Sequence, residues 1–187
     1  MSKIGVFGGT LNPVHLGHIN LITEAKRSFN LDHVLIVPAF QSPHKTELPV
    51  SEAHRLKMIE LATKDLSFTS IDDYELKNKG KSYTYHTIRF LKEKYKDDEL
   101  YFIMGEDQFT AFDSWYRYED LLDMVHFIVL KRSTNDLKIT APFLTAEVPI
   151  FEVSSSEIRK RIFNDDYYNH FVHKDVYHYI EEHGLYE

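Results

Sequence analysis

The chain of 187 residues contains no cysteine, which excludes disulfide frameworks, thiolate zinc sites and thiol nucleophiles together. Long hydrophobic runs are also lacking. The longest, Val34 to Phe40, falls far short of the roughly 20 apolar residues that a membrane-spanning helix needs. The run after Met1-Ser2-Lys3 is too short for a signal peptide, so the expected compartment is the cytoplasm. Basic residues are in the minority: 22 Lys and Arg against 29 Asp and Glu leave a net charge of −7. That balance disfavours sequence-independent binding to a phosphate polymer, so neither a nucleic-acid nor a membrane partner is expected. A small phosphate ligand in a local basic pocket remains compatible with it. Glycine and proline are sparse, seven and six residues, and no Pro/Gly/Ser linker, repeat or low-complexity stretch interrupts the chain. With 43% hydrophobic residues there is enough apolar material for one core, so residues 1–187 read as a single domain. A homo-oligomer is left open.

What is present is an alternation. Ile4–Phe7, Val34–Val37, Leu100–Met104 and Phe127–Leu130 are β-branched or aromatic runs of strand length, with the look of strands buried on both faces. Helical stripes lie between them: Leu21, Ile22, Ala25 and Phe29; Leu56, Ile59, Ala62 and Leu66; Ile88, Leu91 and Tyr95. Strand alternating with helix predicts an α/β fold, a parallel sheet flanked by helices. Ser154–Phe163 and Val172–His183 read as two further helices, the second stopped by Gly184, giving a helical C-terminal subdomain of about 154–187. Ligands of such sheets sit beyond the carboxyl ends of the strands, so the residues just after each strand are the candidates for function.

Four of the seven glycines, Gly5, Gly8, Gly9 and Gly17, fall in the first seventeen residues. The text Gly8-Gly9-Thr10-Leu11-Asn12-Pro13-Val14-His15-Leu16-Gly17-His18 follows a strand and leads into a helix. Such a junction presents backbone N–H groups and a positive dipole end to phosphate. Neither a three-glycine dinucleotide fingerprint nor a P-loop is present. In their place stands a histidine pair at i, i+3, able to donate hydrogen bonds to a phosphate that gains charge in a transition state. Gly17 would leave no side chain between ligand and backbone. A tight turn with ordinary polar histidines is the bland alternative. A zinc site would need a third ligand, and the helix carries no HExxH pattern.

This segment resembles the signature of the nucleotidylyltransferase superfamily, and within it the bacterial nicotinate-nucleotide adenylyltransferases. Pro43-His44-Lys45, Ser82-Tyr83-Thr84, Gly105-Glu106-Asp107, Trp115-Tyr116 and Ser154-Ser155-Ser156-Glu157-Ile158-Arg159 follow in the family's order. Leu11-Asn12 departs from the family's frequent Phe-Asp, and Ser156 stands where Thr is common. The resemblance implies a Rossmann-like sheet and adenylyl transfer from ATP to nicotinic acid mononucleotide, giving deamido-NAD and pyrophosphate. It implies His15 and His18 as catalytic residues and Mg2+ carried in with ATP, with no metal site of the protein's own. Gly8, Gly9, Thr10, His15, His18, Gly105, Asp107, Ser155, Ser156 and Arg159 would bind ATP. Thr10, His44, Lys45, Thr84, Trp115, Tyr116 and Arg132 would bind the mononucleotide, with Trp115 stacked on the pyridine ring.

Several of these residues also have plain structural readings. Ser154 with Glu157 is a capping-box pattern, and Asp107 could cap a helix. Lys45 could be a solvated loop lysine, and Arg132 competes with its neighbour Lys131. A pantetheine-phosphate adenylyltransferase is the nearest alternative enzyme, though Thr is typical there where this chain has His15. A cytidylyltransferase would leave Ser82-Tyr83-Thr84 and Trp115-Tyr116 without a role. A nucleotide sensor without turnover is the alternative of another class, and the retention of both histidines speaks against it.

Overall fold

A computed structural model describes residues 1–46, 48–132, 134 and 136–187. Its centre is a six-stranded sheet whose strands all run parallel: β1 (Lys3–Gly9), β2 (His33–Pro38), β3 (Thr69–Ile71), β4 (Glu99–Gly105), β5 (His126–Lys131) and β6 (Leu144–Glu147). The strand order is β3-β2-β1-β4-β5-β6. This is the Rossmann order, with its switch point between β1 and β4. The four apolar runs form β1, β2, β4 and β5, each extended by a residue or two at both ends. The edge strands β3 and β6 were not anticipated. They are three and four residues long and half-exposed, so they lack the apolar signature of the central strands.

Alternate residues of each central strand feed two hydrophobic clusters on opposite faces. Phe7, Val34, Ile36, Ile103, Ile128 and Leu130 meet Ile22 and Ala25 of α1 (Leu16–Phe29) and Met58, Ile59 and Ala62 of α2 (Glu52–Thr63). On the other face Val6, Leu35, Phe102, Met104, Phe127 and Val129 meet Ile88 and Leu91 of α4 (Thr84–Lys94) and Leu121 of α6 (Tyr118–Met124). Short helices α3 (Tyr74–Lys77) and α5 (Glu106–Thr110) lie in connections.

Two predicted stripes depart from the expected pattern. Leu66 and Tyr95 lie beyond the ends of α2 and α4, and the buried face of α2 is Arg55, Met58, Ile59 and Ala62. The final helices form much as expected, as α7 (Ser155–Phe163) and α8 (Lys174–His183). Gly184 ends the latter in the left-handed conformation, φ 54°. Ile158, Val172, Val176, Ile180 and Leu185 are buried in the same cluster as α1 and α2. Among the described residues no helix is long and apolar enough to cross a membrane.

Candidate active site

The glycine turn leaves β1 at the carboxyl edge of the sheet, beside the switch point. Helix α1 begins directly after His15, its N-cap. The two histidines cap the helix reciprocally. His18 N–H donates to His15 Nδ1 at 3.3 Å, and His15 N–H donates to His18 Nδ1 at 3.1 Å. Their rings stack with centroids 3.6 Å apart and planes 20° from parallel. An Nδ1 that accepts a backbone N–H carries no proton, so each neutral ring holds its proton on Nε2. The pair therefore offers Nε2–H donors from a fixed platform. Burial lowers the pKa of His15 to about 4. His18 is held well below the usual histidine range by burial and by the positive charges of His15 and Lys45.

Gly17 has a packing reason within the chain. A Cβ there would lie 3.0 Å from His15 Cε1 and Nδ1 and 3.0 Å from Val153. Its missing side chain makes room for the folded-back imidazole, and so for the stacked pair. A Cβ at Gly8 would find its nearest neighbour at 3.6 Å, and one at Gly9 at 3.8 Å. Both are ordinary contact distances, so packing within the chain does not demand glycine at either position.

Between β1 and α1 the turn is held residue by residue. Leu11 is buried with φ 52°, a left-handed conformation worth about 1–3 kcal/mol of strain that survives only where the surroundings over-determine it. They do. Arg55 Nη1 donates to Thr10 O at 2.9 Å. Arg159 Nη1 donates to Asn12 O at 2.8 Å, and Ser155 Oγ donates to Pro13 O at 2.9 Å. Arg55 is 1% exposed and also donates to the carbonyls of Ala39, Phe40 and Val50. It thus ties the turn after β1 to the loop after β2. Its role was missed in the sequence, although a charged residue in register with Met58, Ile59 and Ala62 was the available signal.

The motif at α7 has a partly different geometry from its capping-box reading. Ser154 caps the helix by accepting from Glu157 N–H at 3.1 Å, but the Glu157 carboxylate takes the Arg161 Nε–H at 2.9 Å instead. Arg159 also donates to Ser156 Oγ at 3.3 Å. Ser155 and Arg159 therefore lie against the turn after β1, and Ser156 stands exposed beside Arg159. Partial burial lowers the pKa of Lys45, and the nearby charge of Arg159 lowers it further. His15, His18, Lys45 and Arg159 form one neighbourhood, with His44 next to Lys45 on the exposed loop after β2.

Gly105 ends β4 and is itself the N-cap of α5, so Asp107 does not cap this helix; it stands exposed in the first turn. Arg132 follows β5, donates its backbone N–H to Glu106 Oε1 at 2.8 Å and pairs with Glu152. Its Nε is buried without a hydrogen-bond partner among the described residues. Thr84 is the first residue of α4, and its N-cap, Tyr83, makes no side-chain capping bond. In its first turn His86 N–H donates to Tyr83 O at 3.1 Å, which leaves the amides of Thr84 and Tyr85 without an intrahelical acceptor. Trp115 is half-buried, edge-on to Phe102 at 5.6 Å, and Phe102 is the ring that a Cβ on Gly8 would approach. Exposed Tyr116 gathers with Tyr83, Tyr85 and His86 at 5.2–5.8 Å.

Reciprocally capped histidines, a glycine turn and flanking cations beside the switch point fit one class, the nucleotide-handling α/β domain. The family model described as cytidylyltransferase-like matches residues 6–161. The chain is 38% identical over 188 residues, covering 100% of both sequences, to the "Probable nicotinate-nucleotide adenylyltransferase" of Bacillus pumilus. It belongs to the nicotinate-nucleotide adenylyltransferase family within the cytidylyltransferase-like group. Its fold is shared with the Plasmodium falciparum nicotinic acid mononucleotide adenylyltransferase. The structure complexed with NaAD gives a TM-score of 0.85 at 21% identity, and that with APC gives 0.82 at 20%; each match covers 100% of this chain and 98% of the other.

Proposed function

We propose that the protein catalyses, in the cytoplasm, the transfer of the adenylyl group of ATP to nicotinic acid mononucleotide. A phosphate oxygen of the mononucleotide attacks the α-phosphorus of ATP in line. The bond from that phosphorus to the bridging oxygen breaks, and pyrophosphate leaves with its electron pair. The observation that carries the reading is the stacked, reciprocally capped histidine pair beside the glycine turn. Nε2–H donors of His15 and His18 meet the reacting phosphate, where charge develops, while Gly8, Gly9 and Thr10 let the backbone approach it. Arg159, Ser155 and Ser156 serve the ATP phosphates, and Gly105 and Asp107 the adenosine. Lys45, His44 and Arg132 serve the mononucleotide phosphate.

Enzymes of this kind generally use a divalent metal with the nucleotide. Among the described residues no group of three or more histidine or acidic side chains could hold one. Mg2+ would enter as an ion carried on the triphosphate, where it would screen phosphate charge.

The Thr84 and Tyr85 amides at the start of α4, with the N–H of Tyr116, suit a ring carboxylate, and Trp115 offers a flat platform for the pyridine. A neutral carboxamide would lose the charge-assisted bonds and turn its NH2 toward donors. The test is pyrophosphate release with ATP and either nicotinic acid or nicotinamide mononucleotide. A higher kcat/KM for the acid is expected, and Trp115→Ala should raise the mononucleotide KM with little change for ATP. Equal use of acid and amide would remove the carboxylate pocket; no pyrophosphate with either acceptor would remove the reaction.

A further inference from the structure

We propose that Tyr186, in the segment after α8, is a positioning residue for the active-site turn: its hydroxyl fixes the Asn12 side chain, and through it the backbone that presents His15 and His18. What the turn does rests on the adenylyl-transfer reading; how it is held rests on the geometry alone. Asn12 is where the turn's restraints converge. Its backbone carbonyl accepts from Arg159, while its Oδ1 accepts from the Tyr186 hydroxyl at 2.8 Å and from Val50 N–H at 3.4 Å. The Tyr186 bond is the shorter of the two to the side chain, and it spans 174 residues of chain.

Asn12 immediately follows Leu11, whose left-handed backbone needs restraint on both sides. Arg55 supplies it at Thr10, and Asn12 supplies it on the other side. Tyr186 is itself left-handed, φ 69°, so its backbone too is held in an uncommon form that aims the ring inward, against the cluster beneath α1 and α2. Burial raises its pKa, while the nearby Arg55 and Arg159 guanidiniums pull it the other way. The hydroxyl therefore stays a neutral donor between the two cations that hold Thr10 and Asn12. A carboxylate or an amine in this place would compete with, or repel, those same cations.

Tyr168 provides a matched control. It is buried in the same terminal region and its hydroxyl donates to Glu181 Oε1 at 2.6 Å, within the α8 packing rather than at the turn. Both Tyr186→Phe and Tyr168→Phe remove one hydroxyl and keep the ring, so both are expected to fold. In the full chain we would measure kcat and KM with ATP and nicotinic acid mononucleotide, the Tm, and hydrogen exchange of the backbone amides of residues 10–15. Tyr186→Phe should lower kcat about 10- to 100-fold, the scale of a small misplacement of reacting groups, with each KM within about twofold. It should also quicken exchange in the turn. Tyr168→Phe should lower Tm and leave both unchanged. Wild-type kcat and turn exchange in Tyr186→Phe would overturn the proposal, as would an equal kcat loss in Tyr168→Phe. A wild-type protein without turnover would refute the adenylyl-transfer reading instead, and exchange in the turn would then decide the role of Tyr186 by itself.

Discussion

At the scale of single residues, the proposed reaction asks two imidazoles for structural and chemical work with different nitrogens. Each Nδ1 completes the start of α1, and in the proposed reaction each Nε2–H would serve the phosphate. Rings 3.6 Å apart do not both carry charge easily, so the pair works from the neutral state. His18→Ala should lower kcat by about 10²–10³-fold, the usual loss of one transition-state donor, with a smaller change in KM. It should also cost about 1 kcal/mol of stability through the lost cap. A fall in Tm with near-normal kcat would make His18 structural only. The low pKa of His15 has a sign that can be checked. The unfolded chain binds a proton near pH 6.5, whereas the folded one resists it until about pH 4. His15's contribution is therefore complete above pH 6.5 and is lost as pH falls toward 4, about 2 kcal/mol of it between pH 7 and pH 5. His15→Asn keeps a capping acceptor but does not titrate, so its stability should fall by that much less over the same interval. Denaturant unfolding at the two pH values measures the difference, and equal falls would mean that His15 is not desolvated.

At the scale of elements, legibility followed burial. The central strands β1, β2, β4 and β5 announced themselves because both faces are covered and their sequences are continuously apolar. The edge strands β3 and β6 are short and half-exposed, so hydrophobic pattern did not mark them. Helix α2 was legible as a helix but misread by face, because Arg55 occupies a core position that a hydrophobicity count discards. The chemical motifs were legible as text, since glycines, histidines and serines cluster next to strand and helix ends. What those side chains hold was not. Ser155 and Arg159 reach the carbonyls of Pro13 and Asn12, 142 and 147 residues away, and sequence spacing carries no record of such pairs. Gly17 shows the same limit: its neighbours are His15 and Val153, so its role needed the fold to be seen.

At the scale of the whole molecule, the last helices extend the core rather than hang from it. Val176 and Ile180 of α8 are fully buried in the cluster that contains Met58 and Ile59 of α2 and Ile36 of β2. The same tail reaches the active-site turn through Tyr186. Cutting a hole at Ile180 should therefore be felt by the sheet. Ile180→Ala removes three buried carbons at a position 1% exposed, a change that costs about 2–5 kcal/mol when surroundings relax only in part. For a domain of this size each kcal/mol moves Tm by about 2–4 °C, so a fall on the order of 10 °C is expected. The loss should appear as one transition, with far-ultraviolet and near-ultraviolet signals moving together, because the tyrosines of the tail and the sheet unfold as a unit. If the sheet's signal kept its wild-type midpoint while α8 alone melted early, residues 154–187 would be a separately folding unit. The coupling of Tyr186 to the turn would then be lost in the protein's first, local step of unfolding.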